Sequence, residues 1–265
     1  MPNPHRKPIL LACRGLDPVG TGRQVEIVAA GLLAAGFDVH VAATTAGGSL
    51  PGRLAAAGCT IHAVGSRPVV DAGCVARCVA LAARLRPAVA VAWGRSQVWP
   101  AAAARLVVPG LRAAGWLARP VGGRGFAAGL RRLDAVIAAS PEAAAACLRL
   151  GVAPHRVETI PPGAAPAAGT GLSRQEIASR LGLDPARAWT LCVAPLEAAS
   201  RLERLLWAID QLGVVRKDLA HVLVGAGPLG GRLARRARVQ ELAERLVVVP
   251  HCALLPDLLG AVRLV

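Results

Sequence analysis

The chain has 265 residues, 54% of them hydrophobic and 18% charged, which is enough to bury a core and excludes an intrinsically disordered protein. Its longest charge-free stretches, Val39 to Gly52 and Thr159 to Ser173, are interrupted by Gly, Pro, Ser or Thr, which argues against a membrane-spanning helix. The formal net charge of +15 lies mostly in the first half, with +11 up to Gly163 and +4 after it.

The opening run "MPNPHRKPILLAC" carries a strand-length apolar segment before Arg14, too short for a secretory leader. A cytoplasmic protein is therefore expected, with attachment to the inner face of a membrane as a further possibility to test. The seven cysteines are odd in number, scattered, and set in apolar runs, as reduced core thiols would be. Cys74 and Cys78 share a helix face at i, i+4, half of a metal site at most. No metal is expected.

Apolar runs of strand length alternate with alanine-rich helical segments, the pattern of an α/β fold with parallel sheets. Strands are predicted at Pro8 to Cys13, Phe37 to Thr44, Cys59 to Val64, Pro87 to Trp93, Gly110 to Leu117, Asp134 to Ala139 and Arg156 to Ile160. Helices are predicted between them, among others at Gly22 to Ala35, Val69 to Leu85 and Pro141 to Leu150. From Ala72 to Leu133 there is no acidic residue, while Arg77, Arg84, Arg86, Arg95, Arg105, Arg112, Arg119, Arg124, Arg131 and Arg132 all fall there. Such a stretch suits an anionic membrane or a phosphorylated substrate. It equally suits a compositional bias, because Lys7 and Lys217 are the only lysines.

The charge-free segment "PPGAAPAAGTGLS" after Ile160 reads as a linker and sets domains at residues 1–163 and 164–265. The second begins with a helix at Ser173, where Glu176 completes a capping box. Then come a strand Trp189 to Pro195, a helix Ser200 to Leu212, a strand Leu219 to Gly225, a helix Leu229 to Leu242 and a strand Arg245 to His251. A doubly wound sheet commonly has five or six strands, so the second domain reads as incomplete.

The turn "GLDPVGTGRQ" before the first helix directs free backbone N–H groups at whatever lies above the preceding strand, a physical basis for binding phosphate. It is not a nucleotide-hydrolase loop, because Thr21 and Gly22 stand where lysine and a hydroxyl are required. Nor is it a dinucleotide fingerprint: Gly20, Gly22 and Val25 give GxGxxV, and the second strand ends in Thr44 and Thr45 rather than an acid.

The Gly-x-Gly entry followed by Arg23 and Gln24, with the strand "FDVHVAAT" beyond, resembles the opening of glycosyltransferase family 4. The likeness continues through "RRLDAVIAASPEAAAACLRLGVAPHRVETIPPG", "RLGLDPARAWTLCVAPLEAASRLERLLWAIDQL" and "HVLVGAGPLGGRLARRARVQELAERLVVVPHCALLPDLLGA". The resemblance implies a GT-B fold of two Rossmann-like domains facing a cleft, the second truncated here. It also implies transfer, with retention, of a sugar from a nucleotide-diphosphate sugar to an acceptor such as a lipid-linked or cell-envelope glycan precursor.

By the same resemblance, Gly20, Thr21, Gly22 and Arg23 would face a phosphate of the donor or acceptor. Ser200 and Arg201 would stand on the donor side, with His251 and Cys252 near the nucleobase. Gly225, Gly227 and Pro228 would form a structural loop. No cofactor beyond the nucleotide sugar is implied, and no specific nucleic-acid partner.

The chain departs from the family pattern at several places. Ala194, Pro195, Ser200 and Arg201 align with a segment that in the family supplies an arginine and a lysine to the diphosphate. Val91 and Trp93 replace a His-x-His pair, Pro162 replaces the hinge asparagine, and a glutamate pair would lie beyond Val265. Two expectations follow: the front part of a longer glycosyltransferase, or a catalytically silent relative that binds anionic membrane or phosphorylated glycan.

Overall fold

The computed structural model describes residues 7–16, 20–45, 49–65, 71–120, 122–164, 169–242, 244–250, 252 and 254–264. The chain forms two compact units, Met1–Ala165 and Pro166–Val265.

Unit 1 runs β1 (Pro8–Gly15), α1 (Thr21–Ala34), β2 (Asp38–Thr45), α2 (Leu50–Ala56), β3 (Thr60–Ala63), α3 (Ala72–Leu85), β4 (Val89–Trp93), α4 (Val98–Val107), β5 (Arg112–Leu117), α5 (Arg124–Leu130), β6 (Ala135–Ala138), α6 (Pro141–Arg149) and β7 (Val157–Thr159). Its seven strands are parallel, in the order β3-β2-β1-β4-β5-β6-β7. Along β1 the side chains alternate: Ile9, Leu11 and Cys13 pack with Val25 and Ala29 of α1 and Leu54 of α2. Leu10 turns to the other face, against Cys74, Cys78 and Leu81 of α3 and Ala104 of α4. With both faces covered, every strand position favours an apolar residue, and the strands read as unbroken hydrophobic runs.

Local polar contacts fix the ends. Asp71 caps α3 by accepting from the Cys74 amide at 2.7 Å, and Ser140 caps α6 by accepting from the Ala143 amide at 3.3 Å. Arg105 donates to both carboxylate oxygens of Asp134 at 2.7 Å, while the Ala113 amide donates to the same carboxylate at 2.9 Å. Cys74 and Cys78 are buried in the α3 face of the core, and burial pushes the thiols of Cys13 and Cys78 up to about 12. Among the described residues no cluster of His, Cys, Asp and Glu is arranged to hold a metal ion.

Unit 2 runs α7 (Arg174–Leu181), β8 (Ala188–Val193), α8 (Leu202–Val215), β9 (Leu219–Val224), α9 (Gly230–Val239), β10 (Leu246–Val249) and α10 (Leu255–Ala261). Its three strands are parallel, in the order β10-β9-β8. Trp189, Ile177 and Leu258 fill one side of the sheet; Leu206, Ile209, Leu223 and Leu233 fill the other.

The capping box forms as expected, with the Glu176 amide donating to Ser173 Oγ at 3.3 Å and the Ser173 amide donating to Glu176 Oε2 at 2.8 Å. Asp257 on α10 accepts from Thr170 Oγ1 at 3.0 Å and from the Gly171 amide at 2.9 Å, fastening the chain as it enters this unit. The helix expected from Ser200 begins two residues later: Ala198–Ser200 form a 3-10 turn and Arg201 adopts a left-handed conformation before α8. Among the described residues no helix is long and apolar enough to cross a membrane.

Candidate functional site

The strand order of unit 1 reverses between β1 and β4, one leading to β2 and the other to β5. Crossovers to either side part at such a switch point, leaving a crevice above the carboxyl ends of those two strands. An open cleft of about 1280 Å³ lies there. Its walls come from the ends of β1 (Arg14, Gly15), β2 (Thr45) and β4 (Trp93), from the first turn of α1, and from Arg95, Trp99 and Arg119.

The cleft is electropositive. Arg14, Arg95 and Arg119 face Asp71 as the one acid among its described lining residues, and that carboxylate is engaged by the α3 cap. The α1 N-terminus adds the positive end of its dipole. Gly20, at its N-cap with φ 55°, offers no side-chain cap to the first amides, so these stay available to an anion. The remaining wall is aromatic. Trp93 stacks on Trp116 with centroids 5.3 Å apart, and the Arg95 guanidinium lies 5.4 Å from the centroid of Phe126. Cation and aromatic face side by side suit a ligand that carries both an anion and a sugar or other flat apolar surface.

The residues singled out in the sequence are distributed as follows. Thr21 and Gly22 line the cleft, and Gly20 sets the turn that leads to them. Arg23 bonds Glu26 at 3.2 Å, and Glu26 is shared with Arg53 at 3.0 Å, so this cation is drawn along the helix flank. Gln24 reaches to Gly163: its Nε2 donates to the Gly163 carbonyl at 2.8 Å and its Oε1 accepts from the Gly163 amide at 3.0 Å.

In unit 2 a smaller pocket of about 460 Å³ is lined by Arg201, Arg204 and Arg232 together with Glu197 and Glu203. Glu203 pairs with Arg232 at 2.8 Å. Ser200 ends the turn before Arg201, whose φ of 50° is a left-handed conformation that a non-glycine residue adopts at a cost. Cys252 is half-buried against the unit 2 core, and His251 lies outside the described residues.

Gly225 and Gly227 are required by backbone proximity. A Cβ on Gly225 would sit 1.9 Å from the Ala194 carbonyl oxygen, and one on Gly227 2.5 Å from that of Leu196. Pro228 follows directly, and the Leu229 amide closes the turn by donating to Leu196 O at 2.9 Å.

The acid-free arginine run is divided among several partners. Arg77 donates to the Val64 carbonyl, Arg105 to Asp134, and Arg132 to the Ala128 carbonyl, while Arg95 and Arg119 line the cleft. The sequence reading missed Arg14, Thr45 and Asp71 as cleft residues. All three stand at or just beyond strand ends or at a helix cap, the positions that a switch-point argument would have marked.

A family model described as Glycosyltransferase Family 4 matches residues 18–167. The chain belongs to glycosyltransferase family 4. The matched span covers the α1 entry, the arginine run and the exit past Gly163. Solved structures repeat the whole fold at low identity. A glycosyltransferase from Rickettsia africae is 14% identical, with a TM-score of 0.79, over 97% of this chain and 72% of that one. Anabaena Alr3699/HepE in complex with UDP-glucose is 15% identical, with a TM-score of 0.79 and the same coverage. WaaG, a glycosyltransferase involved in lipopolysaccharide biosynthesis, is 16% identical, with a TM-score of 0.73, over 96% of this chain and 73% of that one. These likenesses establish a GT-B-type architecture for this family 4 chain. No curated protein matches it by sequence.

Proposed function

We propose that this family 4 chain transfers a sugar from a nucleotide-diphosphate sugar to an acceptor seated in the unit 1 cleft. The observation that carries the reading is the electropositive, aromatic-walled cleft at the β1/β4 switch point, most of whose lining falls in the span that matches the family. UDP-glucose, present in the Anabaena neighbour, is the first donor to try. The chemical demand is to stabilise negative charge as the diphosphate leaves, which needs cations and N–H groups already in place. On the donor side Arg201, with Arg204 and Arg232 in the same pocket, takes the part of the family's arginine and lysine; Ser200 is its neighbour. On the acceptor side Thr21, Gly22 and the turn at Gly20 receive a phosphate, with Arg14, Arg95 and Arg119 around it.

Retention at the anomeric carbon, a metal-free reaction and an acceptor drawn from lipid-linked or cell-envelope glycan precursors complete the proposal. They follow from the resemblance. Work at the inner face of an anionic membrane is consistent with the exposed Arg84, Arg86, Arg112 and Arg124. The test is incubation of the protein with UDP-glucose and other nucleotide sugars, with and without a membrane lipid extract, followed by mass analysis of the glycolipids. A new glycolipid or acceptor-dependent release of UDP is expected; no turnover with any donor would overturn the reading.

A second reading is supported by one specific feature. Pro195 and Ser200 occupy the positions where the resemblance calls for an arginine and a lysine. A catalytically silent relative that still binds phosphorylated glycan in the cleft would have this arrangement. It would bind phosphorylated glycan saturably while leaving every nucleotide sugar intact.

A further inference from the structure

Next to the unit 2 pocket, which Arg204 and Arg232 line, α8 shows solvent a face that a water-facing helix does not need. Leu202, Leu206 and Ile209 point into the unit 2 core. At helical spacing on the opposite side stand Arg204, Trp207, Gln211, Val214 and Val215, successive members of one i, i+3/i+4 stripe. Trp207 is 60% exposed, Val214 73% and Val215 79%. Isolated exposed valines are ordinary on a protein surface; a tryptophan and two valines on one helix face, with only Gln211 between them, are a concentration of exposed apolar surface.

The surroundings say what kind of partner would cover it. Arg216 and Lys217 follow the stripe directly, and Arg204 opens it. Beside α8, sharing its core cluster, α9 carries Arg232, Arg235, Arg236 and Arg238 and no acid. The nearby acids are largely committed. Glu203 pairs with Arg232 at 2.8 Å, and Asp218 pairs with Arg216 at 2.7 Å. Asp210 is half-buried on the flank of the stripe. A strip of Trp and Val flanked by arginines matches a bilayer interface, where indole rings settle at headgroup depth and basic side chains meet anionic lipid.

We propose that the outer face of α8, centred on Trp207, Val214 and Val215 and flanked by the arginines of α9, docks this protein on an anionic lipid surface. The surface is separate from the unit 1 arginine run, and the inference does not depend on sugar transfer.

The test uses the full chain with sucrose-loaded vesicles, one set of phosphatidylcholine alone and one containing about 30% phosphatidylglycerol. Wild type is expected to co-sediment with the anionic set, and Trp207→Ser with Val215→Ser to lower the partition coefficient by about tenfold. Circular dichroism should be unchanged, because both side chains are exposed. Brominated lipid should quench part of the tryptophan emission of wild type, and that quenched part should disappear in Trp207→Phe.

Equal binding of wild type and the double variant would overturn the proposal. So would equal binding to both vesicle sets, or emission that brominated lipid leaves untouched. Wild type that elutes as a dimer, with the double variant a monomer, would assign the stripe to a second copy and overturn it as well.

Discussion

The side-chain amide of Gln24 and the backbone of Gly163 form a closed pair of hydrogen bonds, 2.8 and 3.0 Å long, across 139 positions of sequence. One partner sits in the helix whose first turn lines the cleft, and the other is the last glycine of "IPPG", where the chain leaves unit 1. The glutamine of the Gly-x-Gly-Arg-Gln entry thus fastens the exit of the unit to the helix that walls its cleft. Gln24→Leu removes both bonds and should lower the stability of unit 1 by about 1 kcal/mol, read from the urea midpoint. The Gly163 amide should lose protection in hydrogen exchange. Unchanged protection would mean that the exit segment is held by other contacts.

Arg201 is expected to show opposite effects on stability and binding. Its left-handed backbone costs about 1 kcal/mol relative to glycine, so Arg201→Gly should raise the unfolding free energy of unit 2 by about that amount. The same change removes a cation from the proposed donor pocket and should weaken UDP binding about tenfold by calorimetry. Loss of both stability and affinity would place the side chain in a structural role.

Protonation of His62 should penalise the fold. Burial, the neighbouring His40 and Arg84 hold its pKa below the usual histidine value, and its Nε2 lies 3.0 Å from His40 Nδ1. The unfolded chain titrates near 6.5 and so binds the proton more readily than the folded one. Stability contributed by the neutral ring is full above about 6.5 and is lost as pH falls toward the folded value. The urea midpoint of wild type should drop between pH 7.5 and 5.5, and His62→Gln should flatten that slope. Some slope should remain, because His221 is shifted in the same direction by burial and Arg245.

Gly225→Ala should cost unit 2 about 2 kcal/mol or more. Its new methyl would fall 1.9 Å from a backbone oxygen that cannot rotate away. Gly231→Ala, where a Cβ meets nothing within 4 Å, is the matched control and should be neutral to slightly stabilising.

Much of the fold was legible because the strands are buried on both faces: Val39 to Ala43 is wholly buried, and such a run has one reading. The helices were less regular. In α4 tryptophan and proline open an alanine run, and α5 is entered through "VGGRGFAAGL", whose glycines read as loop until Phe126 and Leu130 are seen to pack. The site was legible only in part. A helix entry is local, so Thr21 and Gly22 could be named from the glycine turn and the resemblance that it carries. Arg14, Thr45 and Asp71 meet only because strands distant in sequence are neighbours in the sheet, and no periodicity encodes that. The partners of Arg23 were hidden for a related reason: Arg53 reaches the shared Glu26 from another helix, and a phosphate would have to displace that pair.

The contact between Gly225 and the Ala194 carbonyl bears on how the family's signatures are read. The "VGxGP" turn is demanded by two strands passing too close for a side chain, and that demand is indifferent to whether a sugar is ever transferred. Selection for folding alone would preserve it with Pro195 and Ser200 standing where the resemblance calls for cations. The motif therefore works as a record of ancestry, and the state of the chemistry must be sought at positions where the backbone would tolerate any residue.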